Sequence, residues 1–428
     1  MQHDLEEDLA EFRKDGVLLV AFHGSRQSTY RLVVWCYVFG GLCHLWLGDA
    51  DEPGWLLANL LFLTGLILLA WRGAALGWVL ACTGKLIPLL FLRDHLTQSL
   101  LLATIAFAGA AFMAHEGYRS LRRPPEKRPA PYGDSTSAEL GFLKVVRGLT
   151  IATYALAAVH KVNRDFFERT VGCASYGVDK LVAYWNVAPA LVPEALFLAS
   201  PYLIIVTEAA IAVLYLAGLR RICWPLVVAF HIPLTLTMAP AFAFVMLAGH
   251  AAFVLPRDID DVRGVLRRYG LIIAPVALVA TAASLWAHGK WPEWTMIPRE
   301  YLLWALLLTT LLLLARGIDW RRHRVHKSSA QQRAATLIVA LFLIHGLSPY
   351  LGVRFQHTAA MVSGLRIDEG CWNSLIFPEA LRLSDGYIRI ETAYFREPGA
   401  AESLETTLLE QLWSPPQLRQ MRRNWCRY

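Results

Sequence analysis

The sequence predicts an all-α polytopic membrane protein, a bundle of about 9–11 transmembrane helices with a small extracytoplasmic α+β C-terminal tail. Three observations predict it. Of the 428 residues, 56% are hydrophobic and only 18% are charged, and mean hydropathy is +0.39, whereas soluble domains carry roughly 25% charged and about 45–50% apolar residues. Apolar runs long enough to cross about 30 Å of hydrocarbon, at about 1.5 Å per helical residue, recur along the chain. Basic residues concentrate in alternate loops between those runs, the pattern that sets orientation in a bilayer. The formal charge of +7 therefore reads as topology rather than as affinity for nucleic acid.

The first element, 1–29, begins MQHDLEEDLAEFRKDG and is polar and mixed in charge. It lacks the basic start and apolar core of a cleavable signal, so it is expected to be a cytoplasmic segment, with the first span directing insertion. Eleven candidate spans follow, at 30–48, 55–71, 74–92, 97–114, 142–160, 190–217, 222–238, 240–256, 269–287, 300–315 and 334–351. They make up a transmembrane domain over 30–351. Only Met238 to Pro240 separate the seventh from the eighth, so 222–256 reads either as two short spans or as a broken, re-entrant pair lining a cavity.

The loops orient the bundle. Arg119, Arg122, Arg123, Lys127 and Arg128 fall in one loop, Arg220 and Arg221 in the next inner turn. Arg257, Arg263, Arg267 and Arg268 follow, then Arg316, Arg321, Arg322, Arg324, Lys327 and Arg333. The opposite loops are acidic (LGDADEPG) or mixed and tryptophan-containing (HGKWPEWTMIPRE). An N-terminus inside satisfies this pattern, and an odd number of spans puts the C-terminal element, 352–428, outside, where it packs on the mouth of the bundle. Within it YIRIETAYF alternates like a strand. No internal repeat is visible, and RRPPEKRPAP reads as a solvated linker. The Ala-, Leu- and Arg-rich composition points to a bacterial inner membrane. Cys36, Cys43, Cys82 and Cys223 sit in apolar runs as small buried hydrophobes. Cys173, Cys371 and Cys426 lie outside the runs, and a disulfide among them is open with its pairing unassigned.

Ionisable residues at membrane depth are costly and so informative: His44, Lys85, His95, His160, Lys161, Glu208, His231, His250 and His345. A lysine near a helix end can simply snorkel to the interface, and a lone histidine is more often a neutral packing residue. Glu208, inside LIIVTEAAIAVLYL, needs a partner or a shifted protonation equilibrium. The stretch AVHKVNRDF, at the outer end of the fifth span, is the sharpest signal. An ammonium is disfavoured in apolar surroundings, so a lysine so placed can serve as a base near neutral pH, with a neighbouring histidine to hold or relay the proton. No metal-ligand spacing, Gly-rich phosphate loop or nucleophile elbow occurs.

At these residues the chain resembles the vitamin K-dependent gamma-carboxylase superfamily, in particular its bacterial branch of horizontally transferred transmembrane (HTTM) domain proteins. AVHKVNRDF is similar to the family hallmark of a span ending in a small residue, a basic pair with the catalytic lysine second, then Asp or Asn and an aromatic. Lys161 takes the lysine's place, Asn163 that of the Asp or Asn, and Phe166 that of the aromatic, while His160 replaces a lysine. LRDHLTQSLLLATIAF resembles the stretch whose histidine assists the lysine, which maps onto His95. AFHIPLTLTMAPAFAFVMLAGHAAFVLP resembles the Phe-His helix, which maps onto His231, and Glu208 falls where the family carries an acidic residue. SPYLG and AMVSGLRIDEGCWNSLIFP resemble a bacterial segment that often reads AMFSNLRTEGGRWNHLL, with Ser374 in place of its last histidine.

The resemblance implies an enzyme that uses a reduced quinone, a vitamin K-like hydroquinone, and O₂ to make an epoxide and a strong base. That base abstracts a proton from a carboxylate substrate, peptide or small molecule, to which CO₂ can add. It implies catalytic roles for Lys161, His95 and His231, and quinone- or substrate-binding roles for His160, Asn163, Glu208, Arg366, Trp372 and Asn373, with no metal. Vertebrate members continue into a large lumenal domain that grips a propeptide, and the resemblance stops short of it. A different class of protein fits the same composition: a non-catalytic quinone- or lipid-binding partner subunit, or a transporter, although a transporter would be expected to show inverted repeats.

Overall fold

The computed structural model describes residues 28–47, 53–72, 75–92, 97–122, 137–184, 191–237, 240–254, 329–352, 363–367, 372–383, 388–389 and 412–413. Most of these are helical. In chain order the helices are α1 (Ser28–Leu47), α2 (Pro53–Arg72), α3 (Ala75–Ile87), α4 (Thr97–Arg122), α5 (Ser137–Lys161), α6 (Arg164–Phe167), α7 (Cys173–Tyr184), α8 (Glu194–Leu216), α9 (Arg220–Thr237), α10 (Pro240–Ala251) and α11 (Ser329–Leu347). A π-helical turn, Pro88–Leu92, extends α3, and a 3₁₀ turn, Ser348–Leu351, extends α11. Nine of the predicted spans thus coincide with helices. The spans at 269–287 and 300–315 and most of the N-terminal segment lie outside the described residues. Among the described residues, four stretches are long and apolar enough to cross a membrane: Gln98–Arg119, Ala138–Lys161, Glu194–Leu216 and Arg333–Leu351. The ambiguous 222–256 region forms two helices, α9 and α10, packed against each other.

α5 occupies the middle of the bundle. It packs against α4, α8, α10 and α11, while α1 packs on α10 and α2, α2 on α3, and α3 on α4. In an apolar environment helices gain little from burying oil against oil, so close approach and polar contacts decide the packing. Glycine provides the approach. A Cβ added to Gly65 would lie 2.5 Å from the Ala81 nitrogen, and one added to Gly84 would lie 2.5 Å from the Phe62 nitrogen, so α2 and α3 meet backbone to backbone. Polar contacts add specificity: Trp78 Nε1 donates to the Tyr30 hydroxyl at 2.9 Å, and the Tyr37 hydroxyl donates to the Leu102 carbonyl at 3.0 Å. The outward faces of α2, α8 and α11 expose Leu57, Leu60, Leu203, Val206, Leu341 and Ile344, a surface compatible with contact to a lipid bilayer.

Pro201 sits inside α8 and cannot donate to the carbonyl of Phe197. The Ser200 hydroxyl does so instead, at 2.9 Å, which keeps the helix continuous up to Glu208 and beyond. Two helices were not foreseen: α6 and α7, in the loop after α5, which rest on α8 and, for α7, on α9. In the C-terminal element Ile388–Arg389 pairs antiparallel with Leu412–Trp413. The rest of YIRIETAYF lies outside the described residues.

Gly65→Val is expected to lower stability by roughly 1–3 kcal/mol through overpacking, read as the unfolding midpoint in detergent. Gly117→Ala, whose added Cβ meets nothing within 4 Å, is expected to leave the midpoint unchanged or raise it.

Candidate functional site

The end of α5 is built by residues 157–166. After Lys161 the chain turns sharply, with Val162 N donating to Val159 O at 3.2 Å and Asn163 N donating to Lys161 O at 2.9 Å. Asn163 then caps α6, its Oδ1 accepting from Phe166 N at 3.0 Å. The cap sets which way each side chain leaves the turn.

Lys161 does not snorkel outward. Its Nζ folds back along α5 to donate to Ala157 O at 3.4 Å and to Glu208 Oε1 at 2.9 Å. Both side chains are almost fully enclosed, 7% and 6% exposed. At such burial a lone charge is very costly, and removing one partner of a buried pair typically destabilises by about 3–5 kcal/mol. Glu208 Oε2 is also buried and has no hydrogen-bond partner among the described residues.

A polar clamp covers this end of the bundle. Asn163 Nδ2 donates to His160 O at 2.8 Å and to Ser363 O at 2.7 Å, and Asn163 Oδ1 also accepts from Asn373 Nδ2 at 3.3 Å. Asn373 Nδ2 donates to Gly364 O at 2.8 Å, and its Oδ1 accepts from Arg366 N at 2.8 Å. Backbone bonds from Arg164 N to Asn373 O (2.9 Å) and from Leu375 N to Val162 O (3.1 Å) complete the join, an antiparallel bridge between Asn163 and Ser374. Gly364 adopts φ 66°, a conformation that disfavours other residues and turns the segment onto Asn163.

An aromatic stack lies beside the clamp. His160 Nδ1 and the Tyr350 hydroxyl are 3.0 Å apart with their rings stacked, and Tyr350 packs on Phe377 with centroids at 4.1 Å. Trp372 Nε1 donates to Phe377 O at 2.8 Å. Arg366, expected to bind quinone or substrate, pairs with the chain's own Asp165 at 2.7 Å and is half exposed.

His160, Lys161, Asn163, Glu208, Arg366, Trp372 and Asn373 are therefore gathered at one end of α5. Within the gathering, the hydrogen-bonding capacity of Asn163 is taken up by backbone carbonyls, one backbone amide and Asn373. His95 lies outside the described residues. His231 belongs to a separate buried cluster deeper in the bundle. The Tyr154 hydroxyl stands 2.6 Å from His231 Nε2 and 3.0 Å from His250 Nε2, the two Nε2 atoms are 3.2 Å apart, and the Tyr215 hydroxyl is 2.8 Å from His250 Nδ1. Tyr154, Tyr215 and Tyr350 were not singled out from the sequence. The available signal was spacing: Tyr154 precedes Lys161, and Glu208 precedes Tyr215, by the same two helical turns.

Among the remaining candidates, Lys85 is buried with Nζ 4.5 Å from the Phe62 ring centre, and His44 Nε2 is 3.2 Å from Ser99 Oγ. Cys173 carries a free thiol, while Cys371 and Cys426 lie outside the described residues. Burial raises the Cys173 thiol above its ordinary range and the positive Lys161 nearby opposes this only in part, so it is no thiolate at neutral pH. No family model, curated protein or solved structure matches the chain.

Asn163→Ala removes a helix cap and leaves the His160 and Ser363 carbonyls without their donor. The expected loss is roughly 2–4 kcal/mol, localised so that hydrogen exchange at the Leu375 and Arg366 amides accelerates before the core amides of α5 respond. Unchanged exchange at Leu375 contradicts the clamp.

Proposed function

We propose that this chain is an integral membrane enzyme of the gamma-carboxylase-like kind, with the Lys161–Glu208 pair as its proton acceptor. The observation that carries the reading is the buried 2.9 Å pair at the end of α5, together with the unpartnered Glu208 Oε2. A lysine and a carboxylate in contact share one proton, so the base is the pair rather than either residue. Written as ammonium and carboxylate, the pair accepts a proton at Oε2; written as amine and acid, it accepts one at Nζ. Enclosure by α5 and α8 keeps water from quenching a strong base.

The donor set fits a hydroxyl-bearing aromatic ligand such as a reduced quinone. Glu208 Oε2 and Lys161 Nζ would hold a hydroxyl, and His160, Tyr350, Phe377 and Trp372 would supply the aromatic wall. When bound, a reduced quinone with O₂ supplies the oxidation that converts a modest base into a strong one, and CO₂ is the electrophile that the resemblance adds. The substrate class in this reading is a carboxylate, peptide or small molecule. We place the chain in a bacterial inner membrane, N-terminus inside. Support comes from the four apolar helices and from Arg119, Arg122 and Arg220, which lie at helix ends that the topology puts on the side opposite Lys161.

A second reading, a non-catalytic quinone- or lipid-binding subunit, is favoured by one observation: Lys161 is already paired, and buried pairs also occur as structural elements.

Purified protein in nanodiscs with reduced quinone and O₂ is expected to form the quinone epoxide, detected by chromatography. Lys161→Ala is expected to lower the rate by about 100-fold or more, the usual worth of a general base, without loss of membrane insertion. The double variant Lys161→Ala with Glu208→Gln, which leaves no uncompensated charge, is expected to be equally inactive. Lys161→Arg keeps the ion pair but holds its proton, so it is inactive in the enzyme and silent in a binding subunit. Wild-type turnover by Lys161→Ala overturns the assignment; tight quinone binding with no epoxide from the wild type selects the second reading.

A further inference from the structure

Just past the last turn of α10, three successive carbonyls have no helical donor left to them. Each accepts a bond from a side chain of a different element. Arg147 Nε, on α5, donates to Ala252 O at 2.6 Å, and an Arg220 terminal nitrogen, on α9, donates to Phe253 O at 2.9 Å. The Thr29 hydroxyl, on α1, donates to Val254 O at 3.2 Å. The end of a helix needs partners of this kind. It does not need two full positive charges, because a helix C-terminus carries only about half a negative charge.

Two guanidiniums on neighbouring carbonyls thus exceed what the helix end offsets by roughly 1.5 charges. Arg147 binds Ala252 O through Nε, so its two terminal amino groups take no part in that bond. They form the edge with which arginine grips an oxyanion in two places. Among the described residues Arg147 has no ion pair, only the Phe253 ring at 6.0 Å from its guanidinium carbon. Lys144 stands three residues earlier on the same face of α5 and, like Arg147 and Arg220, is partly exposed. Glu139, the acidic residue of this part of α5, lies two turns further back and is buried.

The surroundings select the anion. Val213 and Leu216, in the last turns of α8, and Ile222, two residues beyond Arg220, are exposed apolar side chains. They give acyl chains a surface to lie on beside the arginines, for which a free phosphate has no use. Basic pockets between transmembrane helices on the cytoplasmic side hold phospholipid head groups in this way. A zwitterionic head group brings its own ammonium to the site. An anionic one brings a single uncompensated phosphodiester charge, which matches the excess.

We infer that Arg147 and Arg220, held on the end of α10, bind the phosphate of an anionic phospholipid, with Lys144 at the edge of the site. The phosphodiester oxygens take the terminal amino groups of Arg147, and the lipid joins the ends of α5, α9 and α10. The inference takes only the leaflet from the proposed function. In a chain inserted the other way round the same site would face the other leaflet. The enzymatic reading plays no part, so a protein that forms no epoxide still carries the site.

The test uses the full chain in detergent, with phosphatidylglycerol or phosphatidylcholine of identical acyl chains, and reads bound lipid by native mass spectrometry. The wild type is expected to prefer phosphatidylglycerol by about tenfold, the usual worth of a charge-assisted hydrogen bond. Arg147→Lys keeps the charge and a donor for Ala252 O but lacks the fork. It is expected to lose most of the preference at an unchanged unfolding midpoint. Should it not fold, Lys144→Gln, which removes a charge from the edge of the site, is expected to lower the preference about threefold. Lys180→Gln, which removes an exposed charge from α7, is expected to leave the preference intact. Equal retention of the two lipids, wild-type preference in Arg147→Lys, or an equal loss in Lys180→Gln overturns the site. Displacement of the lipid by millimolar glycerol 3-phosphate makes it a site for free anions and overturns the assignment to lipid.

Discussion

An ammonium enclosed between two helices must meet a carboxylate, and that requirement fixes how α5 and α8 pass each other. Lys161 belongs to the last turn of α5, Glu208 to the middle of α8, and their contact aligns the helices along their length. The same alignment puts Tyr154 and Tyr215, each two turns away, around His250. A shift of one helix by a single turn, about 5.4 Å, would separate both sets at once. Ser200 serves the same end, since it keeps α8 whole across Pro201.

The end of α5 is covered by asparagine rather than by charge. Asn163 and Asn373 offer both a donor and an acceptor, which lets two side chains satisfy several backbone groups where chain segments meet without regular sheet or helix. The Arg366–Asp165 pair, half exposed on the outside of this join, adds little by comparison.

Much of this arrangement was legible in residues 158–166. The run of small and apolar residues up to Lys161 announced a helix end, and Glu208 stood out as a carboxylate among apolar neighbours. Their partnership was not legible, because 47 residues and two helices separate them and only packing brings them face to face. Tyr154 and Tyr215 escaped for a different reason: in an apolar helix a tyrosine reads as a core aromatic until a histidine is found opposite its hydroxyl. Helix α7 escaped because the sequence signal was an apolar run long enough to cross a membrane, and the twelve residues CASYGVDKLVAY are too short for one; the helix gains its support from α8 and α9. The charge pattern, by contrast, was readable from the loops, since it depends on no tertiary contact.

Asn163 and the Ser363 carbonyl that it binds are 200 residues apart. A ribosome making this chain therefore finishes the lysine-bearing helix long before it makes the cover. Through that interval the Asn163 side-chain amide lacks its Ser363 acceptor and the carbonyl of Val162 lacks its Leu375 donor, and the end of α5 has only its own capping turn to hold it. The last stretch of synthesis thus closes a structure whose floor was laid early, and a nascent chain stalled before residue 363 would carry the ion pair without its roof.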